Sequence, residues 1–233
     1  MKLSVFLFLF SSFAFSQSEI IQAPVDHLYV PTGFDSNDAV EVVVTGKFPN
    51  TCYSRNSVDV KIKGDIVNIN ITAIAPGKPV LTDKTCPKMV VPFKEVITIG
   101  NLQGGNYEIR VNQNSATSLT DELVVAEAAS NSVDDSIYAA VEWVEKKSND
   151  EVVLHGWKYS DCLELDKVKI VSNNKDTLSV LPVMKQVREF CPMKGIPSKY
   201  DVKFDVSSLK IDRPLLHVRT MDGKSVNSII EMN

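Results

Sequence analysis

Cysteine pairs of the C-x-x-C type are absent from this 233-residue chain, and its three histidines, His27, His155 and His217, stand singly. Zinc sites draw on such clusters, so the composition argues against one. Basic runs are absent as well. Lysine and arginine are interspersed with acids around a net charge of −4, which leaves nucleic-acid binding without its electrostatic footprint. No basic amphipathic helix is visible, so membrane-surface binding has no support. A Gly-x-Ser-x-Gly elbow is missing, which removes one route to a nucleophilic serine. Gly223-Lys224-Ser225 ends like a phosphate-binding loop, but Val218 stands where that motif needs its first glycine. Beyond the N-terminus no stretch is long and apolar enough to span a bilayer.

What is present begins with an export signal. Met1-Lys2 is a minimal basic start, Leu3 to Phe10 is apolar apart from Ser4, and Ala14-Phe15-Ser16 supplies the small residues a signal peptidase reads. The expectation is a signal peptide over 1–16, cleaved before Gln17, and a secreted or periplasmic mature chain without a membrane span. No cysteine follows the small residues, so a lipid anchor there is disfavoured.

The cysteines carry the architecture. Cys52, Cys86, Cys162 and Cys191 permit three pairings, and an internal repeat chooses among them. Val42-Val43-Val44-Thr45-Gly46 parallels Val152-Val153-Leu154-His155-Gly156. Each copy has a cysteine six residues after that glycine, an alternating run six residues further on, and a second cysteine followed by proline. One bridge per copy is expected, Cys52–Cys86 and Cys162–Cys191, with the chain exported into the oxidising conditions that favour them. Cys52 and Cys162 fall just past a strand, so the bridges should tie end loops rather than join sheets through the core.

The rest reads as strands. Residues 65–75 alternate, with Val67, Ile69, Ile71 and Ala73 on one face. Similar runs near 39–45, 90–99, 107–111 and 122–126 recur in the second copy near 137–144, 151–156, 168–172, 177–184, 200–206, 215–220 and 226–231. Many short strands separated by Pro76-Gly77, Gly104-Gly105 and Asp222-Gly223 turns favour a sandwich. The fold class expected is all-β, two tandem immunoglobulin-like β-sandwich domains with one disulfide in each. The boundaries expected are 17–127, a linker over 128–135, and 136–233. A helix across 139–147 is the alternative there. However, Ile137, Ala139, Val141 and Trp143 alternate, which favours a strand with Trp143 turned to the core. Leu102-Gln103-Gly104-Gly105-Asn106-Tyr107 has the order of a tyrosine corner.

Tyr29 to Asp38, then Gly46-Lys47-Phe48-Pro49-Asn50-Thr51-Cys52-Tyr53, then Cys86, Val91-Pro92-Phe93 and Leu102-x-x-Gly105-x-Tyr107 together resemble a family of uncharacterised secreted bacterial proteins. That family has disulfide-bridged immunoglobulin-like β-sandwich domains. The resemblance covers about residues 27–126 well and implies fold and export, with no catalytic residues to carry over.

Candidate sites are few. Asp35, Asn37 and Asp38 crowd oxygen ligands as a calcium loop does, yet the glycine and distal glutamate of such a loop are missing and a tight turn selects the same residues. His155 beside Gly156 is a conceivable general base, and Asn70-Ile71-Thr72 a glycosylation sequon in a strand. The reading is a non-catalytic protein without a cofactor, presenting its domains to a protein or glycan partner. Tyr53, Phe48, Trp157 and Tyr159 are the candidate contact residues, because aromatics are enriched in binding hot spots. The alternative is an envelope enzyme or protease inhibitor acting through the loop over 75–87.

Overall fold

The computed structural model describes residues 18–77, 86–206 and 211–232. The expected signal peptide and its cleavage site lie outside the described residues, as does most of the loop over 75–87. Every regular element among the described residues is a strand. Two strands, β1 (Glu19–Gln22) and β2 (Val25–Tyr29), precede β3 (Phe34–Asp35), β4 (Val40–Phe48), β5 (Ser54–Lys63), β6 (Ile66–Ala75), β7 (Val91–Gly100), β8 (Gly105–Val111) and β9 (Leu119–Ala126). The second half holds β10 (Ile137–Tyr138), β11 (Ala140–Lys146), β12 (Glu151–Lys158), β13 (Leu163–Ser172), β14 (Thr177–Gln186), β15 (Ser198–Asp205), β16 (Leu215–Thr220) and β17 (Lys224–Ile229).

Each half is a sandwich of a large and a small sheet. In the first, β5, β6, β1, β8, β9 and β3 face β2-β4-β7; in the second, β13, β14, β10, β16 and β17 face β11-β12-β15. The period-two pattern of β6 is realised, with Val67, Ile69, Ile71 and Ala73 buried. They meet Val40, Val42 and Val44 of β4 in one core, and Leu178, Val180, Leu216 and Val218 meet Val152 and Leu154 in the other. Within the large sheets β6 pairs β8 in parallel, and β14 pairs β16 in parallel. A parallel pair needs a crossover, and here the chain makes it through the opposite sheet, by way of β7 and β15.

The bridges are Cys52–Cys86 and Cys162–Cys191. Their cysteines sit in the turns and loops after β4, β6, β12 and β14, so each ties loops at one end of a sandwich. Tyr107 Oη donates to the Gln103 carbonyl at 2.9 Å, which is the tyrosine corner in bonded form.

The repeated glycine has a steric reason. A Cβ on Gly46 would lie 2.3 Å from the Pro24 carbonyl oxygen, and one on Gly156 would lie 1.7 Å from the Ala140 carbonyl oxygen. In both halves the neighbouring strand runs too close for a side chain. Beside each glycine that neighbour carries a bulge. Val25 pairs Gly46 and His27 pairs Thr45, while Val141 pairs Gly156 and Trp143 pairs His155.

The second bulge corrects the expectation for Trp143. Unbroken alternation would place it beside Val141 in the core. Because Glu142 is an extra residue, Trp143 turns outward and is 46% exposed. The strand itself is present over 140–146, not a helix.

The halves meet through sheet faces that look away from the two cores. Tyr29 and Val43 of the first half form a small buried cluster with Leu215, packed by Ile229. Val43 and Leu215 thus explain why β4 and β16 are apolar on consecutive positions: both strands are covered on both faces.

Candidate partner-binding surface

Three places gather chemistry: the seam between the halves, the bridged end of the second sandwich, and the outer face of β11-β12-β15.

The seam is polar at its ends. Arg219 of β16, almost wholly buried, pairs with Asp38 and, at 2.6 Å, with Asp134. Burial works against its charge, but the two carboxylates outweigh that cost and raise its pKa. Glu41 accepts hydrogen bonds from Ser225 and Asn227, with His217 Nδ1 at 3.2 Å. Burial pushes the Glu41 carboxyl up, yet these donors outweigh it and bring its pKa down to about 2. His27 Nε2 lies 2.6 Å from Asp176 Oδ2, and that hydrogen bond raises the imidazole above its ordinary value. A cavity of about 320 Å³ opens beside Glu41, His217 and Arg219. Its carboxylate and guanidinium are already bonded to each other's neighbours, which makes the seam a fastening. His217 Nε2 is buried without a hydrogen-bond partner among the described residues, and the Phe34 ring stands edge-on to that imidazole at 5.2 Å.

Asp35, Asn37 and Asp38 belong to this fastening. Asp35 Oδ1 accepts from Asn37 N–H and Asp38 Oδ2 accepts from Asp35 N–H, each at 2.9 Å. That is how Asp and Asn close a turn on their own backbone. With the other Asp38 oxygen on Arg219, the calcium candidates are used as turn and ion-pair groups. Among the described residues no three His, Cys, Asp or Glu side chains are grouped to hold a metal ion. No helix there is long and apolar enough to cross a membrane.

At the bridged end of the second sandwich the sequence candidates separate. Trp157 and Tyr159 line one apolar pocket of about 50 Å³ with Tyr138, Leu163, Met193 and Tyr200. That is room for the tip of a single apolar side chain. The loop over 187–197 forms its border. Lys194 N–H donates to the Tyr159 carbonyl at 2.7 Å and Val187 N–H to the Cys162 carbonyl at 2.7 Å. Lys194 Nζ reaches Asp161 at 2.8 Å, and Cys191 is bridged to Cys162. On this anchored loop Phe190 is 79% exposed, Met193 70% and Ile196 87%. The sequence reading missed these three because a loop has no periodicity to mark which side chains face water. That Met193 lines the Trp157 pocket is a tertiary fact.

In the first half Phe48 and Tyr53 fare differently. Phe48 is 4% exposed, stacked on Phe93 with centroids 4.6 Å apart and on Tyr53 at 6.2 Å. Phe48 is therefore core, a correction to its place among the contact residues; as the last inward position of β4 it follows Val44 and Gly46. Tyr53 packs against the same core and keeps only part of its ring in solvent.

On the outer face of β11-β12-β15, His155 Nδ1 lies 2.8 Å from Asp201 Oδ1 and its Nε2 2.8 Å from Glu145 Oε2. Each ring nitrogen is thus engaged by a carboxylate oxygen. Trp143 stacks on this ring at 4.8 Å and 16°. With both nitrogens engaged, His155 is held as a support for the indole.

Comparison with known families agrees with the sandwich: residues 42–120, from β4 into β9, are similar to the ORF11 beta-sandwich domain. No curated protein matches the chain, and no solved structure does. The two cystines are bonds that an oxidising environment sustains.

Proposed function

We propose that this is an exported, non-catalytic binding protein that presents the loop over 187–197 and the adjoining Trp157 pocket to a protein partner. The observation that carries the reading is the exposure of Phe190, Met193 and Ile196 on a loop anchored by a disulfide and two backbone hydrogen bonds. Grouped exposed apolar side chains are costly in water and mark interaction sites. Anchoring lowers the ordering cost of association. The neighbouring Trp157, Tyr159 and Met193 are the residue types that hot spots and adaptable apolar pockets use. Two sandwiches joined through the seam would serve as the scaffold, and the seam contacts do not draw on this end.

The test is a photo-reactive side chain placed at position 190 in the native exported fraction, with position 106 on β8 as the control. One partner crosslinked at 190, absent at 106 and lost in Trp157→Ala, supports the reading. Equal labelling at both positions, or none at 190, overturns it.

A further inference from the structure

The bulges of β2 and β11 make the two small sheets comparable position by position, because the register against Gly46 and Gly156 is the same. His27 corresponds to Trp143, Thr45 to His155, Tyr29 to Glu145 and Lys94 to Asp201, with Val43 matching Val153. In the first half this face is covered by the second half, and it carries Tyr29 and Val43 into the buried cluster. In the second half, Glu145 occupies the place of Tyr29, the aromatic that enters the buried cluster. A face that packed on another sheet would not exchange its buried aromatic position for a charge. One large apolar group is nonetheless turned outward there, and the bulge at Glu142 is what turns it.

We propose that Trp143 is the stacking platform of a carbohydrate site that takes the face of a neutral pyranose unit, with the carboxylates of Glu145 and Asp201 accepting from its hydroxyls. A single flat indole among ion-paired polar groups matches a ligand that is apolar on one face and hydroxylated around its rim. The support of the indole is rigid: His155 lies parallel beneath it and is bonded on both nitrogens to carboxylates 2.8 Å away. One face of the ring is thereby taken and the other presented, which lowers the cost of ordering on binding. A cationic ligand suits the site less well. Glu145 already pairs with Lys147 at 2.6 Å and both carboxylates are engaged by His155 at 2.8 Å, so a cation would compete for charges that are already partnered. Trp157 lies two residues beyond His155 on β12 but lines the separate pocket with Tyr138 and Met193, and Phe190 is on the loop over 187–197, so this site does not depend on the protein-binding reading.

The experiment is a screen of the whole exported protein on a printed array of neutral and charged oligosaccharides, followed by titration of the strongest ligand against tryptophan emission. Saturable binding of a neutral glycan is expected. Trp143→Ala should weaken it by about tenfold or more, Trp143→Phe should weaken it less, and replacement of the exposed Ile62 on β5 by Ala should leave it unchanged. The melting temperature of Trp143→Ala should equal that of the parent, because the side chain it removes lies on the surface. Absence of glycan binding on the array overturns the proposal, as does a binding constant that Trp143→Ala leaves unaltered. Binding confined to cationic ligands overturns it too.

Discussion

Arg219 on β16 bonds to Asp38 in the turn before β4, a pair separated by 181 residues and buried where the two sandwiches meet. Asp134, from the segment between the sandwiches, completes the arrangement and also accepts from Gly223 N–H at 3.0 Å. Three distant pieces of chain are thus joined by one guanidinium.

Replacing that guanidinium should loosen the seam before it unfolds either core. Arg219→Ala strands two buried carboxylates, a change that costs about 3–5 kcal/mol where a buried pair is broken. Chemical denaturation should then show two transitions where the parent shows one. Adding Asp38→Ala to Arg219→Ala should recover part of the loss, since one unpaired charge is removed with its partner.

Acid and base each weaken the seam, through different groups. Glu41 falls from an ordinary value of 4.5 to about 2 in the fold. Its contribution is therefore complete above about pH 4.5 and lost as pH falls toward 2, on the order of 3 kcal/mol in full. His27 is raised from 6.5 by Asp176, so its contribution is complete below pH 6.5 and lost as pH rises through the folded value. Both are present together between pH 4.5 and 6.5. Glu41→Gln should flatten the acid limb of a stability–pH profile and His27→Asn the alkaline limb. An acid limb unchanged in Glu41→Gln would show that other carboxylates govern it.

The repeat glycines should tolerate no side chain. Gly46→Ala and Gly156→Ala each force a carbonyl oxygen away from a contact of 2.3 Å and 1.7 Å respectively. A loss of about 2 kcal/mol or more follows in each, in the upper range for overpacking. Thermal melting of the two variants checks it, with Gly195→Ala as the control, since a Cβ there meets nothing within 4 Å.

Each disulfide closes a loop, of 34 residues for Cys52–Cys86 and 29 for Cys162–Cys191. Paired serine replacements should each cost about 3–4 kcal/mol in the chain-entropy account. Cys162→Ser with Cys191→Ser should also release the loop over 187–197. Limited proteolysis near Phe190 is the readout, and unaltered cleavage there would mean that the backbone hydrogen bonds alone hold the loop.

Much of the fold is legible in sequence because it rests on local periodicity and covalent spacing. Val67, Ile69 and Ile71 alternate, and alternate positions of a strand face opposite sides whatever surrounds them. Gly46 and Gly156 stand at equal distances from Cys52 and Cys162, and that equal spacing in the two halves points to the bridges. The candidate sites were legible only in part. Trp157 and Tyr159 do share a pocket, but Phe48 is core, and Phe190, Met193 and Ile196 come from a loop without periodicity.

The amino-acid sequence by itself determined that this chain makes strands, where they fall, and which cysteines pair, because backbone pleat and residue spacing are properties of the chain alone. Tertiary structure decided which strand faces are covered. Val42, Val43 and Val44 read as one apolar run, yet Val43 serves the seam and its neighbours the core. It also decided the fate of Trp143. A single extra residue, Glu142, shifts the register against β12 and carries the indole from the core side to solvent. Such a shift is set by pairing with a strand that the local sequence does not contain.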